Sequence, residues 1–517
     1  MVSVPFGAQN DYMNTNTEVT ANENAPSFSF LDPIAGGVLP IRRFTIKGGQ
    51  IIGKIDSTAS ATTTTATTAA TAAVTTILTV ETCNVMCLDN DRCDAWEFRG
   101  SSRTQNETTT CLLFTNNETN HLGIHQAVDN DPTFVVGFAQ KRAHVLRPVS
   151  QNGSELQLST EKKVLYVLHF HHEVIPHAFE KILNEILPSS WMASFMDLVV
   201  ITPLEVSLLV VNGINKSQEN ERIISGISTL VNPFCPRDNS LRGSNGQMSL
   251  PIARAKFPGY GGYLLVNDDA MVKFWELESD LWFGDRPWGT FPLLKYSQQS
   301  WQLRHAQRVY PYGNYGWSWY NYDSGTVHGQ SNVVRSNFDA ALDAMNELCR
   351  NETGIVMDMD NTSVKEFCGK RSESVLSPYV TAGGKADVLY VPGNKIGAMM
   401  SRAMTLFGEH DVFMEIAYPI IMNTVVPREA VLEMPLCDGS LNLLKDEYDA
   451  NAVQFKPYFQ LEREEGNDLD CPVIHPIKFR MDMSIAYWKE TINNSGCSWC
   501  IREGLGNNET FWELAKN

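Results

Sequence analysis

Residues 259–277 read GYGGYLLVNDDAMVKFWEL, in which an apolar run stops abruptly at Asn267, Asp268 and Asp269 and an amphipathic segment follows. The run predicts a strand whose carboxyl end carries two adjacent carboxylates. Such a pair repels itself and loses hydration, which is costly unless a cation neutralises it. Oxygen ligands suit hard ions such as Mg²⁺ or Mn²⁺, which usually take one or two carboxylates together with substrate phosphates. The plainer alternative is an Asp pair that caps the next helix and satisfies its free N–H groups. A second group is aromatic: Trp282, Trp288, Trp301, Trp317 and Trp319 are interleaved with tyrosines. Flat rings suit the apolar faces of sugars, so an acceptor platform centred on Trp317 and Trp319 is expected, with most of the other rings in the core.

The elements that must position these residues begin near residue 160, where strands and helices alternate and predict an α/β domain. Lys163–Phe170, Asp197–Thr202, Gly262–Val266, Ala386–Val391 and Val412–Ala417 read as strands. Ile175, Phe179, Ile182, Leu183 and Ile186 recur at helical spacing, as do Phe338, Ala341, Leu342, Met345 and Leu348. Strand–helix–strand order with such crossovers predicts a Rossmann-like, mostly parallel sheet flanked by helices, with ligands at the carboxyl ends of its strands.

With 517 residues, 43% of them hydrophobic, the chain can bury at least one large core. Its 41 Lys and Arg against 59 Asp and Glu leave a net charge of −18, which repels polyphosphate and excludes general nucleic-acid or anionic-membrane binding. Four of the eleven cysteines, Cys83, Cys87, Cys93 and Cys111, are clustered, which indicates crosslinks in an oxidising compartment or a metal site. Asn-x-Ser/Thr sequons at Asn106, Asn117, Asn152, Asn215, Asn351, Asn361, Asn493 and Asn508 agree with secretion. Residues 1–30 show neither a basic start nor an apolar run, so no signal peptide is visible, and the Thr/Ala tract 57–80 is too polar for a membrane span.

The stretch around Asn267-Asp268-Asp269 resembles the metal-binding acidic motif of GT-A glycosyltransferases, and more closely the STELLO-type glycosyltransferase family. The similarity continues through VLYVLHFHHEVIPH, the segment containing Trp317-Ser-Trp319, ADVLYVP and DVFMEIAYPIIM, over about residues 160–430 in matching order. It implies a GT-A-like domain over 160–480 that binds a nucleotide-sugar donor through Mn²⁺ or Mg²⁺ and serves a glycan or glycoprotein acceptor, in the Golgi, elsewhere in the secretory pathway, or outside the cell. Asp268 and Asp269 would hold the ion, with His475 as a further ligand. Asn267, Gly393 and Gly397 would line the donor site, although the two glycines also suit a plain strand-to-helix turn. Asp411 and Glu415 resemble the place where inverting members keep a catalytic carboxylate. The alternative of another class is a carbohydrate-binding or scaffold protein that retains the fold without turnover.

Two other motifs compete. His169 and His171 share a strand face, with His172 and His177 nearby, but no Cys or carboxylate pattern completes a zinc site, and lining the nucleotide pocket ranks somewhat above metal binding. GIVMDMDNTSV resembles the D-x-D-x-T signature of haloacid dehalogenase-like phosphotransferases, with Asp358 as nucleophile and Asp360 as acid/base. There Asn361 begins a glycosylation sequon, which would block such a site.

At the other end, C-x3-C-x5-C-x-A-W with a later C-L-L resembles the PAN/apple module of secreted proteins. That resemblance implies a small α+β unit over 41–145, interrupted by the tract 57–80, with Cys83 paired to Cys111 and Cys87 to Cys93, and with a protein or carbohydrate ligand. A poorly ordered leader over 1–40 and a Cys-containing extension over 481–517 complete the expected organisation.

Overall fold

The computed structural model describes residues 39–57, 78–100, 109–115, 123–126, 134–139, 145–148, 163–170, 195–203, 230–234, 246–290, 386–412, 431–438, 456–457, 472–477, 482–494 and 512–515, with short breaks inside some of these. It also describes a few positions around 182, 340–344 and 414–422. The expected leader lies almost wholly outside the described residues, as does most of the Thr/Ala tract.

The N-terminal module contains β1 (Ile41–Arg42), β2 (Phe44–Lys47), β3 (Gln50–Ser57), α1 (Val80–Leu88), β4 (Ala95–Arg99), β5 (Thr109–Thr115), β6 (Gly123–Gln126) and β7 (Phe134–Phe138). Five strands form a sheet in the order β1-β7-β4-β5-β3, and β2 pairs with β6. Helix α1 starts at Thr79, whose Oγ1 accepts the Thr82 N–H at 3.1 Å and so satisfies one of the free donors of the first turn. Cys83 and Cys87, one turn apart, share its buried face. Cys83 is joined to Cys111 and Cys87 to Cys93, the pairing the family resemblance implied. Trp96 is fully buried, its indole N–H donating to Asn84 Oδ1 at 3.1 Å.

Gly137 on β7 packs directly under that indole, where an added Cβ would collide with the ring. Gly137→Ala is therefore expected to lower stability by about 1–3 kcal/mol through overpacking, read as a lower midpoint in thermal or denaturant unfolding.

The larger sheet is built from β8 (Val145–Pro148), β9 (Val164–His169), β10 (Met196–Pro203), β11 (Leu230–Asn232), β12 (Gly262–Asn267), β14 (Trp288–Gly289), β15 (Val388–Pro392), β16 (Leu432–Glu433) and β20 (Trp512–Ala515). Their order is β16-β14-β15-β12-β9-β10-β8-β20, with β11 also beside β10. The expected α/β class holds, but the mostly parallel sheet needs correction. The sheet is mixed: β12–β9, β9–β10, β10–β11 and β14–β16 are parallel pairs, whereas β15 runs antiparallel to β12, β14 to β15, β8 to β10 and β20 to β8. A strand buried on both faces reads as a continuous apolar run whichever way it points, so its composition carries no direction.

Both faces are covered. Leu165, Val167, Leu265, Leu389 and Val391 pack on one side, together with α2 (Ser249–Lys256) and α3 (Lys395–Glu409). Tyr166, Leu168, Leu264, Val266 and Tyr390 pack on the other side with Phe274, Trp288 and Trp488 of α4 (Asp482–Asn494). Strands β8 and β20 and helix α4 lie outside the 160–480 interval, yet they join this sheet or its core.

The expected strand over Val412–Ala417 is a second correction. Met414, Ala417, Tyr418, Ile421 and Met422 are helical and buried. Their spacing of three to four residues is the one-faced pattern of a helix. Of the two helices expected from periodicity, only Ile182 of the first is described, and it is buried; Ala340, Ala341, Asp343 and Ala344 of the second are helical.

The module and the α/β domain meet where β1 approaches the end of α3. The Arg42 N–H donates to Glu409 Oε1 at 3.4 Å, and Arg43 Nη1 lies 3.0 Å from His410 Nε2. Burial pushes the Glu409 carboxyl up to about 7 and the His410 imidazole down to about 3.

Candidate metal centre

The site grows from the carboxyl end of β12. Because β15 is antiparallel to β12, Val266 faces Val388 and the residue before β15, Asp387, arrives beside Asn267. The Asn267 N–H donates to Asp387 O at 3.0 Å, and its side-chain Nδ2 donates to Asp387 Oδ1 at 2.9 Å. The chain then turns through Asp268, whose N–H donates to His169 O at 2.9 Å, and Ala270, whose N–H donates to Asn267 O at 3.1 Å. It continues into β13 (Met271–Val272) of a small sheet ordered β13-β19-β17-β18, with β17 (Leu436–Asp438), β18 (Lys456–Pro457) and β19 (Val473–His475). Strand β19 pairs with β13, and the Ile477 N–H donates to Asp269 O at 2.7 Å, so His475 is delivered to the turn.

Asp269, Asp387 and His475 thereby converge, with ligand atoms that all lie within 4.8 Å of one another. His475 Nε2 is 3.4 Å from Asp269 Oδ2, and Nδ1 is 3.1 Å from Asp387 Oδ2. All three residues are buried. Two carboxylates enclosed about one imidazole form a set of oxygen and nitrogen donors that suits a bound cation. The group is not closed by its own hydrogen bonds: Asn267 Oδ1, Asp387 Oδ2 and His475 Nδ1 are enclosed without a hydrogen-bond partner among the described residues. The group could hold a metal ion.

Of the expected ligands, Asp269 and His475 belong to this group and Asp268 does not. Neighbouring residues of a tight turn project differently, and Asp268 is half-buried where Asp269 is buried. Asp387 was missed because a parallel β15 would have placed its opposite end here. That is also why Gly393 and Gly397 are not brought to the centre: they follow the far end of β15, a five-residue strand spanning roughly 17 Å. Gly393 donates its N–H to Gly261 O, and a Cβ at Gly397 would strike Pro392 O, so these glycines make the strand-to-helix turn that Asn394 caps.

Asn267 is fully buried, its amide engaged with Asp387 and, at 3.8 Å, with Met414 Sδ. Asp411 has φ 53° in the turn that ends α3, a left-handed conformation that Asp tolerates better than most residues. Glu415, Trp317 and Trp319 lie outside the described residues, as do His171, His172, His177, Asp358 and Asp360. His169 is fully buried at the end of β9, with Nδ1 2.9 Å from Ser249 Oγ. Trp288, counted among the aromatic candidates, stacks on Tyr390 in the core.

No family model, curated protein or solved structure matches the chain. No helix among the described residues is long and apolar enough to cross a membrane. The two disulfides point to an oxidising compartment.

Proposed function

We propose that the protein is a metal-dependent glycosyltransferase of the secretory pathway, which moves a sugar from a nucleotide-sugar donor to a glycan or glycoprotein acceptor. The observation that carries this reading is the convergence of Asp269, Asp387 and His475 at the carboxyl end of β12. That is the end of an α/β sheet where ligands gather.

A divalent ion, Mn²⁺ or Mg²⁺, supplies the positive charge that offsets the diphosphate of a departing nucleotide. Asp269 and His475 bind it, and the surrounding apolar core excludes water from their inner side. Asp268, half-exposed on the same turn, faces the donor. Glu415 takes the proton of the acceptor hydroxyl, an assignment that rests on the family resemblance; its neighbour Met414 touches Asn267 at the centre. Trp317 and Trp319 receive the acceptor sugar, and the disulfide-stapled module binds a protein or carbohydrate ligand.

Calorimetry on the full chain with a panel of sugar nucleotides tests the reading. Binding is expected with Mn²⁺ present and lost when the ion is chelated. If no sugar nucleotide binds with Mn²⁺, the transferase reading falls and a carbohydrate-binding scaffold takes its place.

A further inference from the structure

We infer that Asp387 acts through His475 and is not itself a ligand: it is a positioning residue that decides which imidazole nitrogen faces the ion. The inference deepens the metal-centre reading and rests on it. His475 has a carboxylate beside each ring nitrogen, Asp269 Oδ2 at Nε2 and Asp387 Oδ2 at Nδ1. The two nitrogens of an imidazole point in divergent directions, so a single ion takes only one of them and the other carries a proton. The two carboxylates therefore have different parts. One shares the ion with His475, and the other accepts the N–H on the far side of the ring, which fixes the tautomer and orientation of a ligating histidine.

Two observations assign the parts. Asp387 is clamped by its neighbour: Asn267 donates to its Oδ1 from Nδ2 and to its carbonyl oxygen from the backbone, and the remaining oxygen, Oδ2, is the one beside Nδ1. Both carboxylates are buried, but Asp387 stands just before β15, between buried Ala386 and Val388, whereas Asp269 sits on the turn next to half-exposed Asp268. Among the described residues flanking the three in sequence, Asp268 on the turn is the one that is half-exposed, which makes the turn the more open side of the group. Asp269 and Nε2 thus face the ion, and Asp387 lies behind the ring. The 3.1 Å approach of Nδ1 to Asp387 is not yet aligned as a hydrogen bond. The inference requires that this contact become a hydrogen bond when the site is loaded, the arrangement usual for a ligating histidine.

The test loads the full chain with Co²⁺, reads coordination from the visible absorption bands, and measures Mn²⁺ affinity by paramagnetic resonance. Asp387→Asn is expected to keep the wild-type Co²⁺ bands while weakening affinity by roughly 10–100-fold, the usual consequence of losing an outer partner. Asp269→Asn shifts the bands or abolishes binding. Asn267→Ala, which removes the amide that clamps Asp387 and its contact with Met414 while leaving Asp269, Asp387 and His475 in place, is expected to weaken affinity in the same direction with unchanged bands, and it carries the test if Asp387→Asn does not fold. A Co²⁺ spectrum altered by Asp387→Asn in the way Asp269→Asn alters it makes Asp387 a ligand and overturns the inference. Wild-type affinity in Asp387→Asn overturns it as well. A wild-type chain that binds neither ion takes down the metal centre, and this inference with it.

Discussion

Asp269→Ala is expected to abolish Mn²⁺-dependent binding of sugar nucleotides and to leave both disulfides in place. Losing an outer partner of a metal site costs roughly 10–100-fold in affinity, so losing a ligand costs more than that. Thermal unfolding reads the same event without any turnover. An ion that binds only the folded chain stabilises it by about 2.7 kcal/mol at a concentration a hundred times its Kd, so wild type melts higher in Mn²⁺ than in chelator. The variant is expected to melt at one temperature in both. In chelator the sign reverses: Asp269→Ala relieves a buried carboxylate of its neighbour Asp387, so the metal-free variant is expected to melt no lower than metal-free wild type. A variant that still gains stability from Mn²⁺ places the ion elsewhere. Asp358→Asn, in the competing acidic motif, is expected to leave Mn²⁺-dependent binding unchanged.

Replacing Cys83 and Cys111 together by serine is expected to destabilise the N-terminal module by ~3–4 kcal/mol, the loop entropy released when a crosslink spanning 28 residues is lost. The same change at Cys87 and Cys93, which are only 6 apart, costs ~2 kcal/mol on that account. Denaturant unfolding followed by Trp96 fluorescence compares the two, because the indole lies against the same buried cluster as all four sulfurs. A larger loss at the shorter loop would show that packing around Cys87 outweighs chain entropy. These disulfides are also what a reducing environment removes, so wild type in reductant is expected to approach the quadruple substitution.

Much of this was legible in the residues themselves. The tail-to-turn pattern from Gly262 to Asp269 announced a buried strand that ends in carboxylates, and that strand and turn are where the centre forms. The cysteine spacing, compared with a known module, announced both disulfide pairs. Other signals were present but read too short. Met414, Ala417, Tyr418, Ile421 and Met422 spell a helix only when the window extends past Ala417, because the first six residues alone, VFMEIA, are apolar enough for a strand.

The sequence by itself determined the local elements and the chemistry each one can offer: an apolar strand, an acidic turn, a helix stapled by cysteines, a histidine between prolines. These follow from propensities and periodicities that act over a few residues. Only the tertiary structure decided which of those offers meet. Asp387 joins Asp269 because β15 runs against β12, and strand direction leaves no trace in a run buried on both faces. His475 reaches the same point because β19 pairs with β13 across some two hundred residues of chain. The same reversal carries Gly393 and Gly397 to the far end of the sheet, and the geometry of one tight turn separates Asp268 from Asp269. Pairing across long separations is set by the packing of the whole core, and no short window contains it.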